Sequence, residues 1–503
     1  MKNNHIKNVI FSIIGNIVTI IVGFIAQKIF INILGTEYLG INSVFTNIMT
    51  MLCLVEIGFG PAIIYNLYKP IATKDYKTIK SLMKFYKNIY HKIAFIILII
   101  GLILMPFISF FINGVTVNVN LNLIYLLFVI DCVCTYLLSY KRSILYANQE
   151  NYIISIVHIF ILIILNILQI SLLVFTKNYY LYLIVKIVMH VLENIIIVLI
   201  ANKKYSYLKE DDNESLDKNI KNDIYKKVKA LVVHKIAGFV VTSTDNIVIS
   251  KFIGVVAVGL YTNYYLIINS LSVLFGQAIT ALTPSVGHLL INKDYNKNFE
   301  VFKKIRFINF WIACFTGVGL LIIIEPFIEL WLGKKYILSS AVLFVLVINY
   351  YHQMMKNSYM TFKEAAGIYY EDRIIPVIES LTNIIFSIIL VKMLGLVGVF
   401  IGTLISSLVL WIYSYPKYVY KKLFNRTYIN YIKETGGYLI LFIFICSISY
   451  LMSINIIHCK LIINIIISMI IPHIILLIIF KNSNEFKYYI NYLKKLFSKG
   501  ELK

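Results

Sequence analysis

Long apolar stretches, separated by short polar segments, follow one another along almost the whole chain. Each is close to the roughly 20 mainly apolar residues that a helix needs to cross a membrane. Because lipid offers backbone groups no hydrogen-bond partners, helices are the spanning elements that this pattern predicts. The pattern predicts fourteen spans, at 9–32, 41–66, 93–112, 121–140, 152–175, 180–201, 231–252, 258–283, 307–331, 337–360, 374–392, 397–415, 437–456 and 461–480.

Composition excludes a soluble protein. The chain is 59% hydrophobic and 14% charged, with a mean hydropathy of +0.81, whereas soluble domains are about 45–50% apolar and about 25% charged. The net charge of +23 comes from lysines that lie between the apolar stretches. This distribution favours anionic lipid head groups over nucleic acid as the partner of the basic segments. The six cysteines show no cluster with histidine, so no metal site is predicted.

The basic residues also predict an orientation. With the N-terminus in the cytoplasm, 37 of the 47 Lys and Arg residues fall in predicted inner segments and six in predicted outer loops. This asymmetry predicts an all-α, multi-pass membrane protein with both termini in the cytoplasm. Two basic amphipathic segments, 80–90 and 486–500, are predicted to be interfacial helices on the inner surface.

A short internal repeat divides the chain. Gly35 and Gly40 recur as Gly254 and Gly259, each pair in a predicted turn between two apolar stretches. The repeat places the first span and the seventh span in the same orientation, so the halves are predicted to be parallel repeats. The predicted parts are a six-helix bundle at 1–201, a cytoplasmic linker at 202–229, a second six-helix bundle at 230–415, two extra transmembrane helices within 416–480 and a basic amphipathic tail at 481–503.

The sixth predicted span carries three ionisable residues on one face. Lys186, His190 and Glu193 have the spacing i, i+4, i+7, which aligns side chains along a helix. Ionisable groups within spans usually face a cavity or a partner. The stripe is therefore predicted to line a substrate cavity, with an internal network that only ties helices together as the alternative. His158, alone on an apolar helix, is predicted to be a core residue.

Further polar residues occupy the first and seventh spans. Gln27 and Lys28 lie near the predicted outer end of span 1, and Asp245 and Asn246 lie at a similar predicted depth in span 7. They are predicted to contribute to the same cavity, with an ion pair between Lys28 and Asp245 or snorkelling of Lys28 as alternatives. Lys235, near the inner end of span 7, is a further candidate for substrate contact.

Span 2 contains a candidate gate. Glu56 is followed by Gly58, Gly60 and Pro61, a combination that can bend a helix in mid-membrane. A bent helix with a buried acid suits a gating or coupling role. A hydrogen-bonded glutamate at a purely structural bend is the alternative.

Several segments resemble the Wzx-type polysaccharide flippases of the multidrug/oligosaccharidyl-lipid/polysaccharide exporter superfamily. The resemblance rests on residues 34–42, 56–63, 67–70 and 243–254. It implies two six-helix bundles around a central cavity, in a bacterial cell membrane. Pro61 departs from the small residue expected at that position, which leaves the bend of span 2 open.

The resemblance implies a flippase rather than an enzyme. The implied cargo is an undecaprenyl-diphosphate-linked oligosaccharide, moved to the outer leaflet by alternating access for capsule, exopolysaccharide or O-antigen synthesis. Expected partners are this glycan lipid and membrane lipids, with polysaccharide polymerases as candidate protein partners. Function as a monomer is expected, with no cofactor but with coupling to Na⁺ or H⁺. A cation-coupled multidrug antiporter, a lipid II flippase and a glycan polymerase or ligase are the alternatives.

Overall fold

The computed structural model describes residues 2–53, 59–209, 243–368, 371–454 and 459–500, with a few positions between 216 and 228. Within these residues all regular secondary structure is helical. The chain forms two compact units, Met1–Thr262 and Asn263–Lys503. The predicted linker lies largely outside the described residues, so the predicted division into two six-helix bundles stays a prediction.

The first unit is built from long helices joined by short turns. Its helices are α1 (Lys2–Leu34), α2 (Thr36–Leu52), α3 (Phe59–Ala72), α4 (Tyr76–Leu104), α5 (Ile108–Phe111), α6 (Leu121–Ser139), α7 (Arg142–Ala147), α8 (Asn151–Thr176), α9 (Tyr179–Lys204) and α10 (described over 243–252), followed by the start of α11 (Val255–Thr280). Polar side chains cap the N-termini of several of these helices. At the start of α9, for example, the Asn178 side chain accepts hydrogen bonds from the backbone N–H groups of Tyr180 and Leu181. Such caps satisfy donors that the helix itself leaves unpaired.

The second unit continues from α11. Its further helices are α12 (Thr283–Leu290), α13 (Tyr295–Trp331), α14 (Ser340–Ala365), α15 (Ile375–Leu394), α16 (Leu396–Val409), a π-helix (Leu410–Lys421), α17 (Lys422–Phe424), α18 (Tyr428–Ile454), α19 (Lys460–Phe480) and α20 (Asn484–Gly500). The long helix α13 packs against α14, α18 and α19. Its buried Arg306 pairs with Glu434 of α18 and with the Tyr420 hydroxyl. The predicted extra transmembrane helices, α18 and α19, therefore pack against α13 within the second unit.

Eleven helices in the described residues are long and apolar enough to cross a membrane. The predicted span 41–66 corresponds to α2 and α3, and the predicted span 337–360 corresponds to the more polar α14. The start of the predicted seventh span lies outside the described residues. The polytopic all-α class is confirmed.

The prediction of a separate interfacial helix at 80–90 is wrong. This segment is the first part of α4, which continues without a break to Leu104. Its apolar side chains Leu82, Met83 and Tyr86 are buried in the core of the first unit. The basic residues mark only the outward face of one long helix.

The two copies of the glycine repeat lie against each other. Gly35 and Gly254 adopt positive φ angles of 92° and 125°, a conformation that favours glycine. A Cβ atom on Gly40 would collide with the Val255 carbonyl oxygen, and a Cβ on Gly259 would collide with the Thr36 carbonyl oxygen. These reciprocal contacts are the kind that a local two-fold axis generates.

One turn further along, the contact includes a hydrogen bond. The hydroxyl oxygens of Ser43 and Thr262 are 2.9 Å apart, and the two residues are separated by 219 positions. This is the period of the glycine repeat. The segments 36–43 and 255–262 therefore form one symmetric helix contact within the first unit, which we call the repeat contact.

The loop between α5 and α6 braces the same region. The backbone N–H of Asn113 donates to the Ser250 carbonyl, and the Asn113 carbonyl accepts from the N–H of Val255. The buried Glu37 carboxylate accepts hydrogen bonds from Thr116 and from the N–H of Val117. The loop thus connects the starts of α2 and α11, the two helices of the repeat contact.

Candidate functional site

A cavity of about 640 Å³ lies inside the first unit. Residues of α2, α3, α4, α6, α7, α8 and α9 form its wall. Most of these helices belong to the set that is long and apolar enough to cross a membrane, yet acidic, basic and histidine side chains line the cavity. Among the described residues they are Asp131, Arg142, His158, Lys186, His190 and Glu193.

Asp131 of α6 is the centre of one polar cluster. Its Oδ1 atom lies 2.7 Å from Nδ1 of His190, and its Oδ2 atom lies 3.3 Å from Nζ of Lys186. Lys186 Nζ also lies 4.8 Å from the centre of the Phe128 ring. Asp131 thus accepts from both a histidine and a lysine of α9, which offsets the cost of burying its charge.

Glu193 is the centre of a second cluster of the same design. Its Oε1 atom accepts a hydrogen bond of 2.8 Å from Nη2 of Arg142, and its Oε2 atom lies 3.3 Å from Nδ1 of His158. The same Arg142 nitrogen donates to Asn194 at 2.9 Å. Each cluster therefore contains one carboxylate, one permanent cation and one histidine.

The charges of the two clusters balance. Lys186 and Arg142 contribute two positive charges, and Asp131 and Glu193 contribute two negative charges. With neutral histidines the ionised side chains of the described part of the cavity wall sum to zero. The structure gives each of these two cations a counter-charge on a neighbouring helix.

Lys186, His190 and Glu193, the predicted stripe on span 6, all line this cavity, and their role in substrate contact stays a prediction. Their main partners are on other helices and were missed. The sequence offered one sign of these partners, because Asp131 is an acidic residue within an apolar stretch and such residues usually face a cavity or a partner. The interpretation of His158 as a core residue is wrong, because its side chain is 48% exposed and contacts Glu193.

The polar residues of the first and seventh spans lie elsewhere. Gln27, Lys28, Asp245 and Asn246 do not line this cavity. Lys28 is exposed, and in the described part of the chain it forms no ion pair, including with Asp245, which is buried. The role of these four residues in substrate contact stays a prediction. Lys235 lies outside the described residues.

The candidate gate is described in part. Gly60 lines the cavity and Pro61 lies in the first turn of α3. Glu56 and Gly58 lie outside the described residues, between the end of α2 and the start of α3. A gating or coupling role for this segment therefore stays a prediction.

Solved structures with the same fold are transporters. The chain is similar to the lipid II flippase MurJ in an inward closed conformation, with a TM-score of 0.67 and 16% identity over 94% of this chain and 99% of that one. It is also similar to an inward-facing MATE multidrug transporter of the MOP superfamily, with a TM-score of 0.59 and 14% identity over 78% of this chain and 91% of that one. A Vibrio cholerae MATE transporter, VcmN, gives a TM-score of 0.56 and 13% identity over 84% and 99%.

A comparison with curated protein sequences gives no match. Residues 5–289, more than half of the chain, match the model of a family described as polysaccharide biosynthesis protein. This match and the transporter fold agree with the resemblance to Wzx-type flippases. The chain is a multi-pass membrane protein that belongs to the polysaccharide biosynthesis protein family.

Proposed function

We propose that the protein carries an undecaprenyl-diphosphate-linked oligosaccharide from the inner to the outer leaflet by alternating access, for surface polysaccharide synthesis. The proposal rests on the family, on the fold and above all on the cavity of the first unit. The wall of this cavity holds a lysine, an arginine and two histidines beside its two carboxylates. It can therefore offer N–H donors to an anionic head group, and such charge-assisted hydrogen bonds are stronger than neutral ones.

Arg142 has donor capacity that the described residues do not use. Its Nη2 atom serves Glu193 and Asn194, while its Nε atom is buried without an acceptor among the described residues. A buried unpaired donor costs free energy. A phosphate oxygen is the acceptor that a guanidinium group binds best in two-point geometry.

The remaining wall suits a sugar. Tyr86, Tyr90, Tyr136 and Tyr146 line the cavity together with threonine and serine hydroxyls. The Tyr86 hydroxyl donates to the Tyr90 hydroxyl at 2.9 Å. Tyr146 is exposed and offers its apolar ring face to a sugar ring, and the hydroxyl groups of the wall offer hydrogen bonds at the edges. The lipid tail can stay in the bilayer while the head group occupies such a cavity.

Deletion of the gene tests this function in cells. We expect surface polysaccharide to fall to background while the lipid-linked oligosaccharide accumulates at the cytoplasmic face, measured by polymer staining and by mass spectrometry of extracted lipids. Plasmid-borne wild-type protein is the control and restores both readouts. Unchanged polymer with altered drug accumulation would instead support the antiporter, and arrested cell-wall synthesis would support lipid II as the cargo.

A further inference from the structure

The two histidines of the cavity have the same unusual arrangement. His190 contacts Asp131 through Nδ1, and His158 contacts Glu193 through Nδ1. A carboxylate only accepts hydrogen bonds, so each Nδ1 carries a hydrogen. In a neutral imidazole the other nitrogen, Nε2, is then unprotonated. Neither Nε2 atom forms a hydrogen bond to the residues that the structure describes.

The geometry points to His158 and His190 as the residues that create the anion-binding charge. Each takes up a proton at Nε2, keeps it, and donates a hydrogen bond from this N–H to a phosphate oxygen of the cargo. Binding of a diphosphate head group is thereby linked to the uptake of up to two protons. The inference rests on the proposed function, whose site it describes in more detail.

The charge balance gives the reason. Without these protons the ionised side chains of the two clusters sum to zero, so an entering anion meets no net attraction from them. With both histidines charged, the wall carries two positive charges. A diphosphate that is esterified at both ends, as in a lipid-linked sugar, carries one fixed negative charge on each phosphorus. Two protons therefore make the loaded cavity neutral, which removes the cost of an uncompensated charge in a low-dielectric region.

Each histidine faces one carboxylate and one cation. His190 faces Asp131 of α6 and Lys186 of its own helix, and His158 faces Glu193 of α9 and Arg142 of α7. On α1, which also packs against α8, no described side chain forms an ion pair with His158. Histidine is the side chain that ordinarily changes charge between about pH 5 and 8. The thiols and phenols of the wall ordinarily titrate above about pH 8.

Calorimetry on the purified full-length protein tests the inference. The probe is a farnesyl-diphosphate-linked monosaccharide, a short-tailed diphosphate diester whose own charge is constant near neutrality. Titrations at pH 7.5 in two buffers of different ionisation enthalpy give the number of protons taken up. We expect close to two for the wild-type protein, about one for His158→Gln or His190→Gln, and none for the double variant.

The affinity should follow the same linkage. For each linked proton, the affinity falls about tenfold per pH unit once the imidazoles are neutral in the unliganded protein. We expect this steep pH dependence to disappear in the double variant. His91→Gln is the matched control, because His91 is an exposed histidine of α4 outside the cavity wall and its replacement should leave proton uptake unchanged.

The outcomes separate the inference from the proposed function. Binding by the wild-type protein without proton uptake, and with the same affinity at pH 5.5 and 7.5, overturns the inference and leaves the proposed function intact. No binding of the lipid-linked probe at either pH contradicts both. UDP-glucose, a soluble diphosphate diester, distinguishes a lipid-linked cargo from a sugar nucleotide: we expect weaker binding with the same proton count, and preferential binding of UDP-glucose would overturn the assignment of a lipid-linked ligand.

Discussion

Replacing Lys186 by methionine is expected to lower surface polysaccharide at least tenfold while the protein remains in the membrane. Methionine keeps an apolar stem beside Phe128 but removes the cation that faces Asp131. A hydrogen bond to a charged group is worth about 1.5–3 kcal/mol, and about 1.4 kcal/mol is tenfold in affinity. In addition, the unbalanced Asp131 carboxylate repels an anionic cargo. Polymer staining and membrane immunoblots measure the two quantities.

A double variant separates cargo binding from mere structural pairing. If Lys186 only neutralises Asp131, then Lys186→Met combined with Asp131→Asn restores a balanced, uncharged pair and recovers polymer production. If the lysine binds the cargo, the double variant stays defective, which is the result we expect. Lys92→Met is the matched control, since Lys92 is an exposed lysine of the first unit outside the cavity wall. Recovery in the double variant would contradict a role of Lys186 in binding.

Replacing Gly40 by alanine is expected to lower the stability of the protein strongly, although the change adds only one methyl group. The new Cβ collides with the Val255 carbonyl oxygen, a backbone atom that cannot rotate away. Overpacking of this kind costs about 1–3 kcal/mol. The reciprocal substitution Gly259→Ala meets the Thr36 carbonyl oxygen and should cost a similar amount. Thermal unfolding in detergent, followed by size-exclusion chromatography, measures the effect.

The control for this pair is Gly436→Ala in α18, where a Cβ meets nothing within 4 Å. Alanine favours helix over glycine, so this variant should be as stable as the wild type or slightly more stable. If Gly40→Ala and Gly259→Ala both unfold at the same temperature as the wild-type protein, the repeat contact is not present in solution.

The sequence predicts the helices well because lipid imposes their length and composition. It fails where a helix extends beyond the apolar stretch. Helix α4 begins at Tyr76, although the apolar stretch begins at 93, because Ile79, Leu82 and Met83 pack into the core beneath a basic outer face. The glycine repeat predicts that the two turns have the same backbone conformation. That the two copies touch through Gly40 and Gly259 depends on tertiary packing, which sequence spacing does not encode.

The site is predictable along one helix and not between helices. The spacing of Lys186, His190 and Glu193 places them on one face of α9, and all three side chains line the cavity of the first unit. Their principal partners are Asp131, Arg142 and His158, which lie 35 to 59 positions away along the chain and on three other helices. Spacing within a helix reveals only neighbours three or four residues apart. The opposing charges that neutralise the cavity were therefore not predicted.

We propose that a diphosphate-linked glycan lipid moves through the cavity of the first unit. The most direct test measures how fast a fluorescent undecaprenyl-diphosphate-linked oligosaccharide changes leaflet in liposomes that contain the purified protein. We predict that the wild-type protein and Lys92→Met accelerate this movement well above protein-free liposomes, and that Lys186→Met does not. Absence of acceleration by the wild-type protein, or equal acceleration by Lys186→Met, would contradict the account.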